Sequence, residues 1–264
     1  MANRYARMNA LLDAMAADGH LEVGELARQL GVSPTTIRRD LNLLHEQQLV
    51  TRTRGGAVAT TANYDLPIRY RKADHGDEKA RIGRAAAAML APGDTVGING
   101  GTTTTEVARA IAEIHPASAL PGGPPRQITI VTNAINIANE LTVRRHVRLV
   151  MTGGVSRLQS FELTGPLAAD TLAQVDLDYA MIGVDAFDPD SGAKAADEDE
   201  ARVNQLMVRQ ARRAVVVADS SKLTARAFAR ICPLSDVHTF ITDTGAPAEA
   251  VARIRRAGVQ VITV

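Results

Sequence analysis

From Glu78 to its C-terminus the chain repeats one pattern, and that pattern leaves few folds open. A short apolar run rich in β-branched residues ends in glycine, asparagine or aspartate, and a stretch with helical spacing follows. The runs occupy residues 95–98, 128–131, 147–151, 179–184, 214–218, 239–242 and 259–264. Strands with no polar alternation are buried on both faces, and parallel strands joined through helices bury them in that way. Residues 82–90, 106–114 and 134–142 read as three of those helices. Residues 117–126, with three prolines and two glycines, read as a surface loop. The expected class is α/β, built on a mostly parallel sheet with helices on both faces.

Sheets of this kind bind ligands beyond the carboxyl ends of their strands. The polar residues of this chain collect at those ends: Asn99 with Gly100, Gly101, Thr102, Thr103 and Thr104, then Asn133, Gly153 with Gly154, Asp185 and Lys222. In the 100–105 run the glycines admit close backbone approach, a helix N-terminus offers free N–H groups, and hydroxyls add donors. Together these make an anion cradle suited to phosphate. The same residues also describe a threonine-capped strand-to-helix turn with no ligand. The run lacks the spacing and lysine of a Walker loop and the third glycine of a dinucleotide fingerprint. Lys222 reads either as a point charge for a phosphate or as a loop lysine, and Asp185 as a partner for sugar hydroxyls or as a cap. Of the acids between 188 and 200, Glu200 at the start of the next helix is taken as a site candidate. The six histidines have no metal-ligand spacing, so no metal is expected. No close carboxylate pair or activated nucleophile is legible, so no catalytic residue and no cofactor is assigned.

The first 60 residues follow another logic. In Val32-Ser33-Pro34-Thr35-Thr36-Ile37-Arg38-Arg39-Asp40-Leu41, Ser33 is a good N-cap and Pro34 suits the first helical position. Ile37, Leu41 and Leu44 recur at i, i+4 and i+7, which buries one face. Thr35, Thr36, Arg38 and Arg39 fall on the other face. Such a face suits the DNA major groove, and it equally describes an ordinary amphipathic helix with a solvated basic side. Residues 21–30 read as a shorter helix, with Val23, Leu26, Ala27 and Leu30 as its stripe and Gly31 as its stop. Helix, glycine turn, helix is the helix-turn-helix arrangement. Residues 5–17 read as a supporting helix with Met8, Leu11, Leu12 and Met15 apolar. Residues 49–58 read as a hairpin wing carrying Arg52 and Arg54, placed for phosphates or a minor groove. Asp40 reads as orienting an arginine or serving its own helix.

The N-terminal run GELARQLGVSPTTIRRDLNLLHEQQLVTRTRGGAV resembles the winged helix-turn-helix of the DeoR family of bacterial transcription regulators. That resemblance implies groove or phosphate contacts from Ser33, Thr35, Thr36, Arg38, Arg39, Arg52 and Arg54. The second half is similar to the effector domain of the same family, through GGTTT at 100–104, VTN at 131–133, GG with Arg157 at 153–157, Gly183-Val184-Asp185, and DSSK at 219–222. It implies a fold like that of ribose-5-phosphate isomerase and a phosphorylated sugar or related metabolite as effector. The implied effector residues are Asn99, Gly100, Gly101, Thr102, Thr103, Thr104, Asn133, Gly153, Gly154, Arg157, Asp185, Glu200 and Lys222. Two departures from the family pattern stand out: Asn99 stands where aspartate is common, and Ala195-Ala196 where paired threonines are common.

The expected organisation is a DNA-binding domain at 1–60, a linker at 61–77 in which Tyr64, Leu66, Ile68 and Tyr70 alternate, and an effector domain at 78–264. A chain of 264 residues has room for two cores. Its net charge of +1 announces no nucleic acid, but residues 33–60 carry Arg38, Arg39, Arg52 and Arg54 against Asp40 and Glu46. So small a patch binds DNA weakly in one copy, which makes a homo-oligomer, a dimer or higher, the expected state. The one cysteine, Cys232, forms no intramolecular disulfide and reads as a small buried hydrophobe. With no long apolar run and no signal pattern, a cytoplasmic protein without membrane contact is expected. The expected function is a transcription regulator, a repressor in sign, whose partners are a double-stranded DNA operator and a phosphorylated sugar. The alternatives are a sugar-phosphate isomerase with a fused DNA-binding module, which turnover of aldose phosphates would reveal, and a ligand-free scaffold, which saturable metabolite binding would exclude.

Overall fold

A computed structural model describes residues 7–8, 10–11, 14–15, 20–46, 50–59, 75–114, 127–157 and 159–264. The chain divides into two compact units, Met1–Asp74 and His75–Val264. The alternating residues expected in the linker and the loop expected at 117–126 lie outside the described residues.

In the first unit the described residues between 7 and 15 are helical. They are followed by β1 (His20–Glu22), α1 (Val23–Gln29), α2 (Pro34–Glu46), β2 (Val50–Thr53) and β3 (Gly56–Ala59). Met8, Leu11, Met15, Val23, Leu26, Ala27, Ile37, Leu41, Leu44 and Val50 form its core. The i, i+4, i+7 stripe of α2 is fully buried. Leu12 and Leu49 lie outside the described residues. One expectation is corrected. Leu21 and Glu22 extend no helix but form β1, which pairs antiparallel with β3 in the order β1-β3-β2. Helical spacing in a ten-residue window misses a three-residue strand whose pairing partner lies more than thirty residues on. Gly56 permits this pairing, because a Cβ there would lie 1.8 Å from the Leu21 carbonyl oxygen.

The second unit contains a seven-stranded, all-parallel sheet in the order β15-β14-β12-β9-β4-β5-β6. Its strands are β4 (Thr95–Ile98), β5 (Ile128–Thr132), β6 (Val147–Met151), β9 (Leu177–Ile182), β12 (Ala211–Val217), β14 (Thr239–Thr242) and β15 (Gln260–Thr263). The helices are α3 (Gly76–Ala87), α4 (Thr102–Ile114), α5 (Ile135–Leu141), α6 (Pro166–Leu172), α7 (Glu198–Gln210) and α8 (Ala248–Arg256). Side chains of a strand alternate between faces, and here they divide between two cores. Ala214 and Val216 of β12 join Ala201, Met207 and Ile254 of α7 and α8, whereas Val215 and Val217 join Ile82, Val107 and Ile137 of α3, α4 and α5. Both faces are covered, as the unbroken apolar runs require.

Two helix starts differ from expectation. α3 begins at Gly76, inside the stretch read as linker, and α4 begins at Thr102 rather than Glu106. The threonines of the 102–105 run are therefore the first turn of α4. β7 (Val155–Ser156) and β8 (Leu163–Thr164) pair as a short antiparallel arm. A second antiparallel sheet joins β10 (Ala186–Asp188), β11 (Gly192–Ala195) and β13 (Ala229–Cys232). Neither was legible, since strands this short carry almost no periodicity.

From β4 the sheet grows through β5 and β6 on one side and through β9, β12, β14 and β15 on the other. The crevice between the ends of β4 and β9 is thus the topological switch point, where open α/β sheets take their ligands.

Candidate functional site

In the first unit Ser33 caps α2. Thr36 N–H donates to Ser33 Oγ at 3.2 Å, and the two hydroxyls lie 2.9 Å apart. The Ser33 hydroxyl is thereby spent on the helix. Thr35, Arg38 and Arg39 are exposed and Thr36 is half-buried, all on the face opposite Ile37, Leu41 and Leu44. Asp40 is buried and accepts from Arg7 Nε at 2.6 Å. That pair ties α2 to the N-terminal helical residues, in keeping with the reading that Asp40 orients an arginine. The two wing arginines part company. Arg54 is exposed at the turn between β2 and β3, where Gly55 supplies φ +94°. Arg52 is half-buried, and its guanidinium donates to the Gly56 carbonyl, so it braces the hairpin.

In the second unit Asn99 bridges the switch point. Its Nδ2 donates to Gly183 O at 3.0 Å, and Gly183 N–H donates to its Oδ1 at 2.8 Å. An aspartate at this position offers no donor to that carbonyl; asparagine satisfies both groups and adds no charge. Gly101, at φ +143°, then turns the chain into α4. The first intrahelical bond runs from Thr105 N–H to Gly101 O at 3.1 Å. The amides of Thr102, Thr103 and Thr104 precede it, as the orphan donors of a helix N-terminus do. Hydroxyls of Thr104 and Thr105 donate to Gly101 O at 3.2 and 2.6 Å, so they are turned onto the backbone.

Glu162, which nothing in the sequence singled out, joins the candidates together. It is 3% exposed. Asn133 Nδ2 donates to its Oε2 at 3.0 Å, and the same carboxyl packs against Gly100. The fit is tight: a Cβ on Gly100 would stand 2.5 Å from Glu162 Cγ and Oε1. Burial, with Glu200 and Asp185 facing it, pushes the Glu162 carboxyl up to about 8. Burial also raises the Glu200 carboxyl, against a hydrogen bond from Ser160 and the charge of Arg157. Arg157 binds Glu200 Oε1 through Nη1 at 2.9 Å and Asp197 Oδ2 through Nη2 at 3.2 Å. Asp185 accepts from Ala196 N–H at 2.8 Å. The other nitrogen contact of Asn133 is Leu163 O at 3.2 Å, and its Oδ1, fully buried, finds no partner among the described residues.

Gly100, Asn133, Arg157, Asp185 and Glu200 are therefore one cluster around Glu162, with Asn99 and the first turn of α4 at its edge. Gly154, at φ +124°, lies so close to β8 that a Cβ would meet Thr164 O at 2.5 Å, and it positions the arm. Gly153 precedes it at φ +72°. Lys222 stands on the same rim, half-buried in the 3₁₀ turn after β12, and among the described residues no hydrogen bond or ion pair joins it to the cluster. Beside it Asp219 caps that turn and pairs with Lys79 Nζ at 3.8 Å, both buried. Lys79 was missed because its partner lies 140 residues on, at the far end of another strand.

Residues 7–63 match the family model described as DeoR-like helix-turn-helix domain, and residues 74–244 match the DeoR C terminal sensor domain. The putative aga operon transcriptional repressor of Escherichia coli O157:H7 is 34% identical over 261 residues, covering 98% of this chain and 93% of that protein. The glycerol-3-phosphate regulon repressor of Escherichia coli K12 is 32% identical over 241 residues, 91% of each. Among solved structures, ribose 5-phosphate isomerase A of Methanocaldococcus jannaschii is 15% identical with a TM-score of 0.42, covering 57% of this chain and 55% of that one. Among the described residues no helix is long and apolar enough to cross a membrane.

Proposed function

Because this chain belongs to the DeoR family of transcription regulators, we propose that it is a DNA-binding repressor released by a phosphorylated sugar or related metabolite held at the β4–β9 switch point. For DNA, the observation that carries this reading is the outward face of α2. Thr35, Arg38 and Arg39 are exposed on a capped helix whose opposite side is fully buried, so the helix is fixed while its polar edge is available to base edges and phosphates. Arg54 at the wing tip adds a phosphate contact. The basic patch of one copy is small, so two copies on paired half-sites are proposed to share an operator.

For the effector, the reading is supported by three first-turn amides of α4 beside a polar cluster at the switch point. Oriented N–H groups at a helix N-terminus favour an oxyanion. The facing carboxylates and Asn133 Oδ1 are acceptors, matched to ligand hydroxyls. Control of DNA binding requires the metabolite to bind two states of the protein unequally. Arg157, held between Glu200 and Asp197, is proposed as the group whose pairing changes.

The carboxylates are tied by hydrogen bonds, and the relatives carry repressor names, so we infer binding without turnover. Product formation from an aldose phosphate by the wild-type protein would overturn that. The central experiment is fluorescence anisotropy on the DNA upstream of the protein's own operon, over a salt series, with and without a panel of sugar phosphates. Salt-sensitive, sequence-selective binding that one phosphate ester weakens is the expected result. Binding indifferent to sequence, or to every ester, refutes the corresponding half. Thr103→Glu is expected to abolish the ester effect and leave DNA binding intact.

A further inference from the structure

We propose that Glu162 is the chain's own occupant of the anion site, and that the effector binds by displacing its side chain. The inference rests on the reading of the α4 N-terminus as an oxyanion cradle. Its observation is a contact: the carboxyl of Glu162 takes the Asn133 amide, and it lies so close to Gly100, immediately before the first turn of α4, that a Cβ there would stand 2.5 Å from Glu162 Oε1. An oxyanion would seek that same donor and the same place beside the α4 amides. The neighbouring Asn133 Oδ1 is fully buried and lacks a partner among the described residues. An orphaned buried acceptor beside the cradle is matched to a ligand hydroxyl.

The main chain of Glu162 is fixed, so the part that yields is the side chain. Leu163 N–H donates to Asn133 O at 2.7 Å, Ile135 N–H to Phe161 O at 2.9 Å, and Arg157 N–H to Glu162 O at 2.8 Å. Rotation about the side-chain bonds carries the carboxyl out of the cradle without moving this framework. The charged groups around it are Glu200 on α7 and Asp185 beyond β9, with Arg157 balancing Glu200 and Asp197. Inside, the carboxyl is held largely protonated at neutral pH by its burial and these neighbours. Once in water it returns to the ordinary carboxylate range and ionises. Displacement therefore releases a proton to solvent, and the incoming oxyanion takes over the Asn133 donor beside the α4 amides. A cradle filled by its own side chain nine-tenths of the time would weaken apparent affinity about tenfold.

The test is calorimetric titration of the full chain with inorganic phosphate and with glycerol 3-phosphate, each in two buffers of different ionisation enthalpy. Wild type is compared with Glu162→Gln and Glu162→Ala. At pH 7 the wild type is expected to release close to one proton more per phosphate bound than Glu162→Gln, and Glu162→Ala is expected to bind about tenfold tighter. Glu162→Gln keeps the shape and an oxygen to accept from the Asn133 amide, and it cannot ionise, so the proton count stands even where Glu162→Ala fails to fold. Equal proton release in wild type and Glu162→Gln overturns the inference, as does unchanged or weaker binding by a folded Glu162→Ala. If neither probe binds any of the three proteins, or Thr103→Glu binds phosphate as wild type does, the cradle reading itself falls, and the inference with it.

Discussion

Gly83→Ala sets two effects of known size against each other at the contact that positions the cradle. Gly83 lies in α3 where it crosses α4, and a Cβ there would stand 2.6 Å from the Glu106 carbonyl oxygen and 2.7 Å from its carbon. Alanine gains about 0.8–1 kcal/mol over glycine in a helix interior. Against that, the new methyl falls about 0.8 Å short of ordinary contact with main chain, and overpacking of this kind costs about 1–3 kcal/mol. Main chain cannot rotate aside as a side chain does, so the cost belongs in the upper part of that range. The net expectation is a loss of about 1–2 kcal/mol. The two helices relieve the contact by separating, which displaces the first turn of α4 and with it the amides of Thr102, Thr103 and Thr104. Phosphate-ester affinity should then fall several-fold while DNA affinity without effector stays unchanged. Hydrogen exchange resolved over α3 and α4 reads the stability, and calorimetry reads the affinity. A variant as stable as wild type, or stabilised by the full helix-propensity gain, would refute the close helix crossing.

Three further outcomes follow from the same structure. Leu41→Ala removes a fully buried side chain from the core of the first unit and should cost it about 2–5 kcal/mol, abolishing operator binding while phosphate binding persists; calorimetric unfolding with both assays checks this. Arg54→Ala should reduce the salt slope of operator binding by about one, whereas Arg52→Ala should leave the slope and loosen the wing, seen as faster exchange in β2 and β3. For Glu162, a folded-state carboxyl at about 8 lies above its unfolded value, so its contribution to stability is full below about pH 4.5 and is lost as pH rises to about 8. Thermal unfolding of wild type relative to Glu162→Gln should decline across that window, and parallel curves would contradict the burial of a protonated acid.

What local chemistry controls can be read from neighbouring residues. Ser33 and Pro34 start α2, Ile37, Leu41 and Leu44 choose its buried face, and unbroken β-branched runs demand a sheet covered on both sides. Each of these signals lies within a few residues of its effect, so spacing alone reveals it. The polar strand ends were legible for the same reason, because a strand must stop before its ligand-facing loop begins. Tertiary structure decided which of those ends meet. Strand order puts β4 beside β9, and only then do Asn99 and Gly183 exchange hydrogen bonds across 84 residues. Glu162 becomes the centre of the rim because a two-strand arm delivers it against Gly100 and Asn133, and Arg52 leaves the solvent for its own hairpin. Burial is a property of packing, not of residue type. The carboxyl that burial keeps protonated, and the arginine that a carbonyl captures, emerge only when distant segments close around them.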